Sequence, residues 1–151
     1  AVRIKVGLLE HGDVVQMLTT PTEHFALTYD TGALDYFVCL TNGHPFLTQS
    51  VAFHLVRGMN ESRRTRVDRA DVDKAVGTAL SGAADYFADL WQNIAQPRRA
   101  LLCDLAGKRA SVGSEADLAW LREHDFVTDD NELCVPMFGQ WIRSQNQSNI
   151  P

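Results

Sequence analysis

The sequence has few cysteines, no long apolar run and no obvious targeting segment. Its hydrophobic stretches are only a few residues long, so no segment is expected to span a membrane. Three cysteines, Cys39, Cys103 and Cys134, lie far apart and form no CxxC pair. They are predicted to be buried free thiols in a reducing compartment. Arg3 and Lys5 lead into only a short apolar stretch, which is not typical of a signal peptide. A cytoplasmic location is therefore expected.

Motifs that carry chemistry are also missing. The chain has no P-loop motif (GxxxxGK followed by Ser or Thr), no GxSxG and no HExxH. Its five histidines are scattered, and no His/Cys cluster is present. No catalytic residues and no metal site are therefore predicted. The 14 basic residues are outnumbered by 19 acidic residues, and this net charge of −5 argues against a dedicated nucleic-acid binder.

What remains is typical of a globular protein. Of the 151 residues, 45% are hydrophobic and 22% are charged, which is enough apolar material for one domain or two small ones. The periodicity of these apolar residues predicts a mainly α fold of about eight helices with one short β-hairpin near the end. Ser81-Gly82 is the best candidate boundary between two halves, residues 1–81 and residues 82–151.

The first half is predicted to begin with a strand over residues 2–6 and to continue as four helices. Asp13 and Asp30 are candidate caps of the first two helices, and Asn42-Gly43 is predicted to end the second. Pro45 opens the third helix, since proline is tolerated in a first turn. Residues 60–66 are predicted to form a solvated loop. Asp68, with Asp71 three residues on, is predicted to start the fourth helix, and Val67 and Val72 are placed for a hydrophobic staple.

The second half is predicted to form helices, then a hairpin and a last helix. An amphipathic helix surrounds Leu90, Pro97 opens another helix that ends at Gly107, and Ser114 with Asp117 has the spacing of a capping box. Residues 126–128 and 133–135 flank a turn of the type that ends a hairpin. Pro136 begins the last helix.

One segment, residues 40–47 with the sequence LTNGHPFL, stands out. The residues alone have a plain structural interpretation: Gly43 ends one helix, Pro45 begins the next, and Phe46 and Leu47 enter the core.

The same segment carries a resemblance to a family. Residues 2–80, with a strand, the helix DVVQML at residues 13–18 and the Gly-x-Pro turn at residues 43–45, resemble the region that follows the ATPase core in AAA+/STAND-type P-loop ATPases. The turn is similar to the family's "TGGxP" segment, with Asn42 where the family often has glycine. Residues 82–143, which end in VPMFGQWIR, resemble the winged-helix domain that follows.

This resemblance implies a helical lid in residues 1–81 and a winged-helix-like domain in residues 82–151. It implies that Gly43 and Pro45, with His44 between them, contact the adenine and ribose of ATP or ADP in a full-length protein. The P-loop ATPase core would lie upstream in the same chain. The expected function is then regulatory and non-catalytic, coupling the nucleotide state to a protein partner.

Two alternatives stay open. One is a winged-helix transcriptional regulator that binds DNA through Lys108, Arg109 and flanking residues. Between Ser114 and Val135, however, seven acidic residues accompany the single base Arg122, which argues against DNA as a partner. The other alternative is a stand-alone protein-interaction adaptor without any link to a nucleotide.

Overall fold

The protein is mainly helical, as predicted. The computed structural model describes residues 8–20, 26–109 and 113–148, and within these it has eight α-helices and two short strands. In chain order the elements are α1 (His11–Thr19), β1 (Thr28–Tyr29), α2 (Ala33–Thr41), α3 (Pro45–Ser62), β2 (Arg66–Val67), α4 (Arg69–Gly82), α5 (Ala84–Gln92), α6 (Gln96–Ala106), α7 (Glu115–Glu123) and α8 (Pro136–Ser148). The chain divides into two compact units between Ser81 and Gly82. The strand predicted over residues 2–6 lies outside the described residues.

The two short strands were not predicted from the sequence. β1 and β2 pair in parallel, with Thr28 opposite Arg66 and Tyr29 opposite Val67. The prediction of a loop over residues 60–66 was therefore wrong at both ends, since α3 continues to Ser62 and β2 begins at Arg66. A two-residue strand has no periodicity of its own and depends on a partner 38 residues away in the chain.

The first two helices do not begin where they were predicted to begin. Glu10 is the N-cap residue of α1, and Asp13 lies inside its first turn. Gly32, with a φ of +88°, precedes α2, whereas the main-chain N–H of Asp30 donates to the carbonyl of Val67 at 2.8 Å. The carboxylate of Asp30 pairs with Arg66. Asp30 is therefore used by the small sheet and not by the helix.

Asp68 lies at the start of α4 as predicted, and together with Asp71 it forms a capping box. The amide of Asp71 donates to the Asp68 carboxylate at 2.8 Å, and the amide of Asp68 donates to the Asp71 carboxylate at 3.0 Å. Val67 and Val72 on either side are fully buried. Both pairs fix the point at which the chain enters the helix.

The second unit follows the predicted order of elements. Pro97 lies in the first turn of α6, Gly107 ends that helix, and the hydroxyl of Ser114 accepts the amide of Asp117 at 3.2 Å at the start of α7. The predicted hairpin is present as a single antiparallel bridge between Val127 and Leu133.

An aromatic cluster forms the centre of the second unit. Phe87 stacks on both Phe138 and Trp141, with ring centroids 5.7 and 5.6 Å apart, and Trp91 packs edge-on against the same two rings. Phe87, Phe138 and Trp141 are all buried. α5 and α8 are thereby joined through rings that the amphipathic pattern of each helix had placed on one face.

The cysteines are less buried than predicted. Cys39 is exposed, Cys103 and Cys134 are half-buried, and all three are free thiols. Cys39 lies on the outer face of α2 although its neighbours Val38 and Leu40 are buried. Among the described residues, no helix is long and apolar enough to cross a membrane.

Candidate functional site

The joint between α2 and α3 holds the three residues singled out from the sequence. Asn42 ends α2 in the left-handed conformation, with a φ of +44°, and Gly43 follows with a φ of +72°. The amide of His44 then donates to the carbonyl of Thr41 at 2.9 Å, and Pro45 occupies the first turn of α3. Two successive left-handed residues reverse the chain, and proline fixes the direction in which it leaves.

Gly43 is required here for a second reason. A Cβ atom on Gly43 would lie 2.3 Å from the main-chain oxygen of Leu9. The amide of Leu9 donates to the carbonyl of Gly43 at 2.7 Å, so the segment before α1 is bonded directly to the joint. The side of Gly43 on which a Cβ atom would lie therefore faces the backbone of Leu9.

His44 is the N-cap residue of α3. Its Nδ1 accepts the amide of Leu47 at 3.3 Å, and its carbonyl accepts the amide of Thr48 at 2.8 Å. Burial lowers the pKa of the His44 imidazole, and this outweighs a main-chain hydrogen bond that acts in the opposite direction. A neutral ring keeps Nδ1 available as an acceptor, so the lowered pKa and the capping contact support each other.

Large apolar side chains lie exposed around this joint. Leu47 enters the core as predicted, but Phe46 is 47% exposed, and that part of the prediction was wrong. Leu8 and Leu9, in the segment bonded to Gly43, are also exposed. The three side chains lie in the segment before α1 and in the first turn of α3, and no periodicity in the sequence connects those positions. These three side chains can offer an apolar contact surface beside the joint.

Of the two basic residues considered for DNA contact, Arg109 is paired with an acid. Arg109 lies 3.5 Å from the Asp104 carboxylate, and Lys108 sits in a left-handed turn. On α7, Arg122 pairs with Glu115 at 2.8 Å and donates to the side chain of Asn131 as well. The guanidinium groups of Arg109 and Arg122 are therefore both engaged within the unit itself.

Another arginine of this unit supports the fold. Arg98 on α6 pairs with Asp117 on α7 at 3.2 Å, and its guanidinium lies 4.2 Å from the centroid of the Trp120 ring. Both side chains of the ion pair are about three-quarters buried. Arg98 therefore holds α6 against α7.

No group of three or more His, Cys, Asp or Glu side chains in the described part of the chain could hold a metal ion. No family model, curated protein or solved structure matches this chain. The geometry of the α2–α3 joint is therefore the main basis for proposing a function.

Proposed function

We propose that this chain is the regulatory, non-catalytic part of an AAA+/STAND-type P-loop ATPase, which couples the nucleotide state of an upstream ATPase core to a protein partner. The observation that carries the proposal is the α2–α3 joint. Asn42 and Gly43 hold it in a fixed left-handed turn, Pro45 opens α3, and Leu9 is bonded to it from an earlier part of the chain.

In this proposal His44 and Pro45 contact the nucleotide directly, and Gly43 has a supporting part. The side of Gly43 on which a Cβ atom would lie faces the backbone of Leu9, so it cannot also contact the adenine of a nucleotide. His44 and Pro45 are half-buried, and exposed Phe46 follows them. The pyrrolidine ring of Pro45 offers a compact apolar face and the imidazole of His44 a planar one, and both kinds of surface can pack against adenine.

The joint is also well placed to pass on a displacement. It connects the segment before α1, the end of α2 and the first turn of α3 through main-chain hydrogen bonds. α3 has 18 residues, so a tilt at its first turn is carried over roughly 27 Å. Exchange of the nucleotide at Pro45 would thereby displace the C-terminal end of α3.

A protein partner is favoured over DNA because of the charges on the second unit. Between residues 82 and 151 there are 6 Lys and Arg against 10 Asp and Glu, and the arginines on α6 and α7 contact groups of the unit itself. Acidic surfaces repel a duplex but accept basic protein segments.

The first test is the coding sequence upstream of Ala1. A P-loop motif in the same reading frame supports the proposal, and its absence would favour a stand-alone interaction adaptor.

The second test uses the protein with its ATPase core. Pro45→Ala is expected to weaken ADP binding by several-fold to about tenfold, because alanine loses methylenes worth roughly 0.8 kcal/mol each against the base. Pro97→Ala is the matched control, since Pro97 also lies in the first turn of a helix but belongs to the second unit. Calorimetric affinities are measured together with melting temperatures. Equal ADP affinity in wild type and Pro45→Ala would reduce the joint to a structural corner.

A further inference from the structure

A groove of about 410 Å³ lies between the second half of α3 and the first half of α4. Buried apolar side chains contribute to its lining, namely Leu55, Met59 and Ala75. Exposed charged side chains also line it, namely Arg57, Glu61, Arg64 and Lys74. The volume is typical of sites for small molecules, which are about 300–1,000 Å³. The groove begins at His54, ten residues or roughly 15 Å along α3 from His44, so it is separate from the joint.

The basic side chains of the groove differ in how far they are engaged. Arg64 is held by Asp71 at 2.8 Å and by Asp68 at 3.5 Å. Among the described residues, Arg57 is engaged through its Nε, which donates to Glu61 at 3.2 Å, and both of these side chains are about two-thirds exposed. Lys74 makes no side-chain hydrogen bond or ion pair within the described residues. Arg57 on α3 and Lys74 on α4 thus place two cationic groups on opposite walls. The carboxylates of Glu61 and Asp71 also line the groove, and each of them is paired with an arginine, Arg57 and Arg64 respectively.

A glycine in the middle of α3 helps to keep this groove open. Gly58 lines the groove, and a Cβ atom added to it would meet nothing within 4 Å. Glycine is a poor helix former, so α3 would be more stable with almost any other residue at this position. A longer side chain at Gly58 would project into the groove.

We propose that this groove binds a small phosphate monoester that carries a compact apolar group. The phosphate lies between Arg57 and Lys74, and the apolar group packs on Leu55, Met59 and Ala75. A phosphate monoester carries a charge of about −1.5 to −2 at pH 7, which matches two cationic groups. A ligand with one carboxylate would carry less negative charge and match them less well. The proposal concerns a different site from Gly43-His44-Pro45 and does not depend on the function proposed for that joint.

The test is calorimetric titration of the whole 151-residue protein with phenyl phosphate at low salt. Saturable binding of one equivalent is expected, with inorganic phosphate bound at least about fivefold more weakly because it lacks the ring. Gly58→Met fills the groove without removing a charge and should weaken binding by about tenfold or more. Gly77→Met on α4 is the matched control, because Gly77 also has open space around it and does not line the groove. It should bind like wild type.

Lys74→Gln supplies an independent variant at an exposed position, with an expected loss of about threefold to tenfold in affinity. Melting temperatures of all variants show whether each is folded. The proposal is overturned if wild type shows no saturable binding, if Gly58→Met or Lys74→Gln binds like wild type, or if inorganic phosphate binds as tightly as phenyl phosphate. A phosphotyrosine peptide that binds more than about tenfold tighter than phenyl phosphate would also overturn it, since the ligand would then be a protein segment.

Discussion

Replacing Gly43 by alanine would introduce a Cβ atom where the main chain of Leu9 already lies. The new atom would be 2.3 Å from the carbonyl oxygen of Leu9 and 3.1 Å from its carbonyl carbon and amide nitrogen. All three are backbone atoms, so no side-chain rotation relieves the overlap. The segment before α1 would have to retreat by about 1 Å to reach an ordinary contact distance.

Two costs follow from this change. Alanine at a φ of +72° carries a strain of about 1 kcal/mol. The retreat of Leu9 breaks its 2.7 Å hydrogen bond to the carbonyl of Gly43, which contributes about 1 kcal/mol more. The expected loss is therefore about 2 kcal/mol in the free energy of unfolding, or roughly 8–16 °C in melting temperature for a unit of this size.

Gly32→Ala is the matched control for this prediction. Gly32 has a φ of +88°, but a Cβ atom there would meet nothing within 4 Å. It should therefore lose about 1 kcal/mol from strain alone. Urea unfolding followed by circular dichroism gives both values, since all three tryptophans lie in the second unit and their fluorescence does not report on the first. Equal losses in Gly43→Ala and Gly32→Ala would refute the reasoning, because the contact with Leu9 would then contribute nothing.

Three further predictions concern pH, DNA and catalysis. Burial lowers the pKa of His44 in the folded state, so the unfolded chain binds the proton at a higher pH than the folded chain does. The contribution of His44 to stability is therefore complete above about pH 6.5, and it is lost as the pH falls towards the pKa of the folded state. His44→Asn keeps a side-chain acceptor at the N-cap and should flatten the curve of urea midpoint against pH in that window, and an unchanged curve would contradict the assignment. Duplex DNA titrated at moderate salt should bind only weakly, and a sequence-specific complex of roughly nanomolar affinity would instead support the DNA-binding alternative. The chain by itself is expected to hydrolyse no ATP, because it lacks a P-loop; turnover that exceeds a mock preparation and disappears with a mutation in this chain would overturn its non-catalytic assignment.

The elements that were predicted well are those with a local cause. Pro45, Pro97 and Pro136 each lie in the first turn of a helix, and Ser114 and Asp68 both cap the helix that follows them. These signals act over three or four residues, so the sequence contains all of the physics involved. Asp30 has the same chemistry as Asp68 but was assigned wrongly, because Arg66, 36 residues later, competes for its carboxylate.

The candidate site shows the same division. The left-handed turn at Asn42-Gly43 and the helix start at Pro45 follow from the sequence alone, because asparagine and glycine tolerate a positive φ and proline fixes its own. The hydrogen bond from Leu9 to Gly43 and the parallel pairing of β1 with β2 join segments that are 34 and 38 residues apart. The groove beside Gly58 also depends on two separate segments, because residues of both α3 and α4 line it. Sequence periodicity reports which face of an element is apolar but not which distant segment covers it, and that choice was made only by packing in three dimensions.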